Sequence, residues 1–316
     1  MATTLKLSDS INFAQAFGGW RGLALGNANE PAITCANIIL QTLVAAPFTW
    51  NWNRASVTFL TSGGVQDYTP ASSTFGVIEK ASYVLAANIT NTALTNNVAT
   101  YTAVNSFIVG TNVSVTGSTN SAVFNVVNKP IVSATPTSFT INITNANIAS
   151  AADTAVAVLT TNSVPGSLTE ISNVINVLGS GNELGTPSFI APQVDDNSGN
   201  ITFRILPIPD QVYQITIVFQ KRIPQLINSL SSTWAPIPDH YSFIYQYGFL
   251  ALICAYFSDS RYMQFSNKFV AGILGAAEGL SEDQKNVFSR AWYNSVTEQQ
   301  FTNLRTAQGV EGLGKS

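Results

Sequence analysis

One histidine, two cysteines and two methionines occur among 316 residues, and only 10% of the side chains are charged, against roughly 25% in ordinary soluble domains. Each scarcity removes a class of chemistry. Zinc sites draw on clustered His and Cys, and no such cluster exists here, so no metal centre is expected. His240 stands beside Asp239 and Tyr241 at an expected helix start. A Ser-His-Asp arrangement stays open on that ground, but no G-x-S-x-G nucleophile elbow accompanies it, and a capping or packing role is the plainer reading. No G-x-G-x-x-G loop occurs, and no cofactor is expected. Cys35 and Cys254 each lie in an apolar helical pattern. There a thiol behaves as a small buried hydrophobe, which favours two free cysteines over a disulfide.

Charge is scarce in both signs. Fourteen basic against seventeen acidic residues give a net charge of −3, which argues against a surface dedicated to gripping phosphates. The start of the sequence, "MATTLKLSDSINF", lacks the apolar stretch and small-residue cleavage site of a signal peptide, so export by that route is not expected. Paired carboxylates for glycoside hydrolysis could come from Asp195-Asp196, Glu183 or Glu282-Asp283; a turn, a loop and the first turn of a helix are the plainer readings. "DDNSGN" lacks the spacing and closing glutamate of a calcium-binding EF-hand loop.

What the chain has is apolar mass, at 46% of residues, enough to fill a large core. Its most apolar stretch, Tyr241 to Phe257, holds seventeen residues without a formal charge. That falls short of the roughly 20 residues of a membrane span and lacks a basic flank, so membrane insertion is not expected. A helix apolar on nearly all sides must then be enclosed by protein, its own or that of neighbouring subunits. Five tryptophans invite a glycan-stacking reading. Trp50 and Trp52 on one side of a strand, Trp234 ahead of a helix and Trp292 on a helical stripe fit core or interface anchors better.

Three zones follow one another. In residues 1–83, "NANEPAITCANIILQTLVAAPF" predicts a helix capped at Asn29, with Pro31 in its first turn and Pro47 as its stop. Strands are expected on both sides of Gly63-Gly64. From 84 to 163 the only formal charges are Lys129 and Asp153, and alternation at Val113/Val115, at Phe139/Ile141/Ile143 and at Val156/Val158 predicts short strands of a small β-sandwich. From 164 onward, strands flank Pro207 to Asp210. "WAPIPDH" then leads into helix, with Asp239 placed to cap, a break at Gly279-Leu280, and a capping box of Ser281 and Gln284 starting a last helix.

Several blocks carry a resemblance. "ANIILQTLVAAPFTWNWNR", "GGVQDYTP", "FGVIEKASY", "FRILPIPDQVYQITIVFQKRIPQL" and "WAPIPDHYSFIYQYGFLALICAYFSDSRY", in that order, resemble the head-to-tail adaptor (neck or tail tubular A-like) proteins of tailed bacteriophages. "VSVTGSTNSAVFNVV" followed by "IVSATPTSFTINI" resembles the immunoglobulin-like modules inserted in phage virion proteins. The resulting expectation is an α+β fold: a helical bundle core with a small strand region, formed by 1–83 and 164–316, plus an inserted all-β immunoglobulin-like sandwich at 84–163. The resemblance implies a non-enzymatic ring subunit, twelve-membered in adaptors of this kind, at the head-tail neck of a virion and made in the host bacterial cytoplasm. Its partners would be the portal protein above and a tail or nozzle protein below, with DNA only passing through. Interface candidates are Trp234, Pro236, Pro238, Tyr241 and Tyr245, with Val310 and Leu313 in a terminal segment that grips a neighbouring ring. A glycan-binding tail or adhesin component is the alternative, and a virion-borne cell-wall hydrolase the third reading.

Excising residues 84–163 and joining the ends with a short Gly/Ser linker is expected to leave the helical circular dichroism of the remainder intact. Loss of that signal under native conditions would reject the two-part organisation.

Overall fold

A computed structural model describes residues 5–18, 31–44, 48–72, 74–160, 166–171, 183–195, 200–227, 231–234, 237–276 and 281–295. The chain divides into two compact units, one drawn from 1–54 and 220–316, the other from 55–219.

The first unit holds α1 (Leu7–Gly18), α2 (Ala32–Val44), α3 (Phe249–Tyr256), α4 (Tyr262–Ala276) and α5 (Glu282–Ser295). Local chemistry accounts for several of their ends. In α2 the carbonyl of Pro31 accepts the amide of Cys35, so the proline sits in the first turn as its fixed φ allows. The capping box of α5 forms in both directions: the Gln284 amide donates to Ser281 Oγ, and the Ser281 amide donates to Gln284 Oε1. Glu282 and Asp283 add negative charge at the positive end of that helix. Between α3 and α4, Ser258 adopts φ 55° and the Asp259 amide donates to the Cys254 carbonyl. Asp259 then holds the Arg261 guanidinium, which keeps its carboxyl below the usual range.

The apolar segment singled out above becomes three pieces rather than one helix: a 3-10 turn at Asp239–Tyr241, a π turn at Ile244–Gly248, and α3. Pro238 occupies the N-cap position, with Asp239 inside the turn. Phe249 to Cys254 are all buried, and α1, α2 and α4 pack against this helix. The chain's own helices therefore enclose Phe249 to Cys254. Gly272 on α4 is required here, because a Cβ at that position would run into the Phe243 ring. Cys35 and Cys254 are free and buried as expected, and burial pushes the Cys254 thiol up to about 12.

The second unit is built almost wholly from strands: β1 (Arg54–Leu60), β2 (Asp67–Tyr68), β3 (Phe75–Asn88), β4 (Asn91–Thr95), β5 (Val98–Thr102), β6 (Asn112–Thr116), β7 (Val126–Thr135), β8 (Ser138–Asn142), β9 (Ile148–Ala152), β10 (Val156–Leu159), β11 (Gly166–Glu170), β12 (Leu184–Gly185), β13 (Phe189–Asp195), β14 (Ile201–Leu206), β15 (Ile208–Pro209) and β16 (Tyr213–Lys221). Fourteen of them form one hydrogen-bonded sheet, in the order β2-β14-β13-β11-β3-β10-β6-β7-β8-β5-β4-β9, with β16 pairing β3 and β1 pairing β16.

This corrects the expected fold class. The described residues are mostly β around a large mixed sheet, not a helical bundle core with a small strand region. The reason lies in pairing. Strands that look minor one at a time, such as β11 and β13, join in parallel across intervening chain and together enclose a second apolar core. In that core Phe75, Phe203 and Phe219 meet Ile190, Ile205, Ile215 and Ile217, and the Phe75 and Phe219 rings stack at 4.3 Å. Gly166 lets β11 close on β3, since a Cβ there would overlap the Tyr83 ring.

A separate apolar cluster runs from Ala87 to Ala157 and takes residues from β3 to β8 and from β10. Its antiparallel ladders share β7, whose first half pairs with β6 and whose second half pairs with β8 across a bulge between Ile131 and Ser133. Tyr101 stacks on Phe139 at 4.9 Å and donates to the carbonyl of Phe124. Val113, Val115, Phe139 and Ile141 point inward as their alternation implies. In β10 the phase is the other one: Ala157 is buried, and Val156 and Val158 are only half-buried. The β4–β5 hairpin turns on Asn96 and Asn97, both at positive φ, a two-residue loop of the type I′ kind that matches the twist of its strands.

Asp153 organises the polar side of this cluster. Its carboxylate accepts from Thr92 Oγ1, Ser118 Oγ, the Thr119 amide and hydroxyl, and the Thr154 amide. Burial alone would raise its pKa, but these donors outweigh burial and hold it at about 2, below its ordinary 3.8. A depressed folded-state pKa contributes stability above pH 4 that is lost as pH falls toward 2. Asp153→Asn is expected to lower stability at neutral pH by about 2 kcal/mol, with the gap to the parent closing between pH 4 and 2 in thermal unfolding followed by circular dichroism. A gap unchanged at pH 2 would contradict this.

Trp234 is fully buried, with its ring edge toward Phe249 and its Nε1 donating to Ser10 Oγ at 3.0 Å. Trp234→Ala is expected to cost about 3–5 kcal/mol, read from denaturant midpoints; a change within about ±0.5 kcal/mol, as at an exposed site, would refute that placement.

Candidate functional site

The sequence blocks of the resemblance meet in space. In the first unit, the Gln220 carboxamide closes on Trp50 in both directions: the Trp50 amide donates to Oε1 at 3.1 Å, and Nε2 donates to the Trp50 carbonyl at 3.2 Å. Asn53 Nδ2 donates to the Lys221 carbonyl. Asn37 repeats the two-way pattern with the main chain of Leu226. Trp50 and Trp52, expected on one side of a strand, instead flank and occupy a 3-10 turn at Asn51–Asn53, their rings 5.6 Å apart. Trp50 Nε1 donates to the carbonyl of Leu43 at the end of α2. The "WAPIPDH" block is bound to the start of the chain, where the Leu7 amide donates to the Ser232 carbonyl and the Trp234 amide to that of Leu5.

In the second unit, "GGVQDYTP" and "FRILPIPDQVY" meet in the same manner. Arg204 binds Asp67 through two parallel hydrogen bonds of 2.8 Å, which hold the Asp67 carboxyl below the ordinary range. The Tyr68 hydroxyl donates to the carbonyls of Ser62 and Val65 and accepts the Ser62 amide, pinning the turn at Gly63-Gly64. Burial raises the Tyr68 pKa. The Tyr213 hydroxyl donates to Asp210 Oδ1 at 2.7 Å, and the Tyr213 main chain exchanges bonds with Thr61. None of these partners was visible as a partner in the sequence, although most of them stood inside a quoted block or beside one.

The interface candidates separate by place. Trp234 and Tyr241 are buried in the core of the first unit, Tyr241 with its ring edge-on to Trp50. Pro238 is half-buried at the N-cap of the 3-10 turn. Tyr245 lies in the π turn. Pro236, Val310 and Leu313 lie outside the described residues, as do Asn29, Pro47 and the Gly279-Leu280 break.

His240 is exposed, with its ring 4.2 Å from that of Tyr241. Glu282 holds Lys285 one turn along α5, and the Glu183 carbonyl accepts the Ile208 amide where β12 pairs β15. Asp195 ends β13, and the turn beyond it lies outside the described residues. Among the described residues no group of three His, Cys, Asp or Glu could hold a metal ion, and no helix is long and apolar enough to cross a membrane. Trp50, Trp234 and Trp292 are fully buried, so none of the three offers a face to a sugar.

The acids with the strongest partners, Asp67, Asp153 and Asp259, each bind groups of their own unit. These blocks thus form a set of mutual clamps, the pattern expected of a framework that presents surfaces. No curated protein matches the chain. The profile of one family, described as SU10 adaptor protein, matches residues 49–297, a span that takes in all the clamps except those that reach residues 5–43, and the chain belongs to that family.

Proposed function

We propose that this protein is a structural subunit of a phage virion that forms a ring, twelve-membered by resemblance, at the head-tail junction, where it joins the portal to the tail and surrounds the path of the DNA. Membership of the SU10 adaptor protein family supports an adaptor of the virion. The observation that carries the reading is the extent of the match: residues 49–297 include segments of both units, so the adaptor character belongs to the architecture as a whole. A net charge of −3 suits a protein that must let DNA slide past rather than hold it.

In this reading residues 1–83 and 164–316 are the adaptor core and 84–163 an inserted immunoglobulin-like module. The apolar cluster between Ala87 and Ala157 supports that division, because it lets the module bury its own inner faces. Pro236, Pro238, Tyr245, Val310 and Leu313 contribute to the contact with the portal or a neighbouring subunit. Trp234 and Tyr241 act from beneath by fixing the segment that carries the prolines. No catalytic step is assigned.

Negative-stain images of the purified protein mixed with the portal of its virion are expected to show coaxial stacked rings. Absence of rings, together with specific retention on host polysaccharide, would replace this reading with the glycan-binding one; muralytic activity abolished by Asp or Glu substitution would replace it with the hydrolase.

A further inference from the structure

The two apolar clusters of the second unit meet at a thin joint. One centres on Phe75, Phe203 and Phe219, the other on Tyr101, Phe124 and Phe139. Among the described residues, Leu85 is the one apolar side chain that packs against both. Strand β3 passes from one cluster to the other. Its residues Ala81–Tyr83 pair with β11 and Ala86–Asn88 with β10, which leaves Val84 and Leu85 between the two registers. The Ala86 amide donates to the Val212 carbonyl just ahead of β16. Parts of a chain that share so little apolar surface move relative to one another by default.

A hydrogen bond away from β3 opposes that motion. Ser106 Oγ donates to Gln211 Oε1 at 2.7 Å, and both ends are firmly mounted. On the Ser106 side, Asn105 Nδ2 donates to the carbonyls of Ala103 and Thr135, and Phe107 is buried with its ring 5.2 Å from that of Phe139. On the other side, Gln211 Nε2 donates at 3.1 Å to the Tyr213 hydroxyl, which donates in turn to Asp210 Oδ1. The Gln211 carbonyl also accepts Thr61 Oγ1. The bond between these supports is open to water, with Ser106 exposed and Gln211 half-buried. An exposed bond between neutral groups biases an equilibrium by only about twofold to tenfold. It can therefore hold one arrangement while leaving another within reach.

We propose that the Ser106–Gln211 bond is a latch. It holds strands β4–β10 in one orientation on the rest of the second unit, and its opening lets them turn about Val84–Ala86. The latch belongs to the single chain and acts whether or not rings assemble. A partner that takes up either side chain shifts the population toward the open arrangement, in proportion to its preference for that arrangement.

The test places spin labels on the whole chain at Lys80→Cys and Asn142→Cys, both exposed positions, with Cys35 and Cys254 buried away from reagent. Labelled chain is mixed with excess unlabelled chain, so that double electron–electron resonance reads distances within one copy. The parent is expected to show one main distance and a minor second one. Ser106→Ala and Gln211→Ala should each raise the ratio of second to first by about twofold to tenfold, and the double variant no further than either alone. The unfolding midpoint of Ser106→Ala should match the parent's. Distance distributions in both single variants equal to the parent's would overturn the latch, and one narrow distance in all of them would overturn the hinge as well. A shift in Gln211→Ala with none in Ser106→Ala would also overturn it, because the effect would then come from the Tyr213 side.

Discussion

The closure of Gln220 on the main chain of Trp50 is the constraint on which the first unit depends. That unit is discontinuous: the chain leaves it after Arg54 and returns at Gln220. Trp50 and Gln220 are 170 residues apart in sequence, and bringing them together costs conformational entropy that grows only slowly with length. A carboxamide satisfying both an amide and a carbonyl of buried backbone is well suited to hold them. Removing it would leave two buried polar groups without partners, which is costlier than the bonds are individually favourable. Asn53 with Lys221 and Asn37 with Leu226 repeat the device alongside. Once the crossing is held, the start of the chain can pair with 232–234, and α3 is enclosed by α1, α2 and α4.

Scarcity of charge shapes the rest. With few ionised side chains to distribute, polar satisfaction falls to Thr, Ser, Asn and Gln. The few carboxylates with strong partners are committed locally, Asp153 to a ring of hydroxyls and amides, Asp67 to Arg204 and Asp259 to Arg261. Contacts made by such a surface depend on shape and apolar area more than on long-range fields, and so respond little to ionic strength. An adaptor benefits from that, because its joints must hold in whatever medium the particle meets.

Legibility followed the range of the interaction. The Ser281–Gln284 capping box, the first-turn Pro31, the buried thiols and the inward phases of β6 and β8 could be read from neighbours in the chain, because the groups that decide them lie within four residues. The quoted blocks likewise made a phage adaptor legible, though not which adaptor family. The Asn96-Asn97 turn was equally local and went unread, though two asparagines between alternating residues are a hairpin signal. Helix α1 went unread as well, its apolar stripe of Leu7, Ile11 and Ala14 being short and set among small polar residues. Strand β10 shows a different limit. A period of two has two phases, and its partners on β3 and β6 turned Ala157 inward where the bulkier valines suggested the opposite.

Several caps, the apolar segment that had to be enclosed and the adaptor character were thus written in the chain itself. Tertiary structure alone decided that the strands join into a fourteen-stranded sheet, that the apolar segment breaks into a 3-10 turn, a π turn and a helix, and which residues of one block clamp another. The physical reason is that caps, turns and periodicity depend on atoms a few residues apart. Pairing between β11 and β13, or between Gln220 and Trp50, depends on free energies that exist only when distant segments meet, and nothing in either segment names the other.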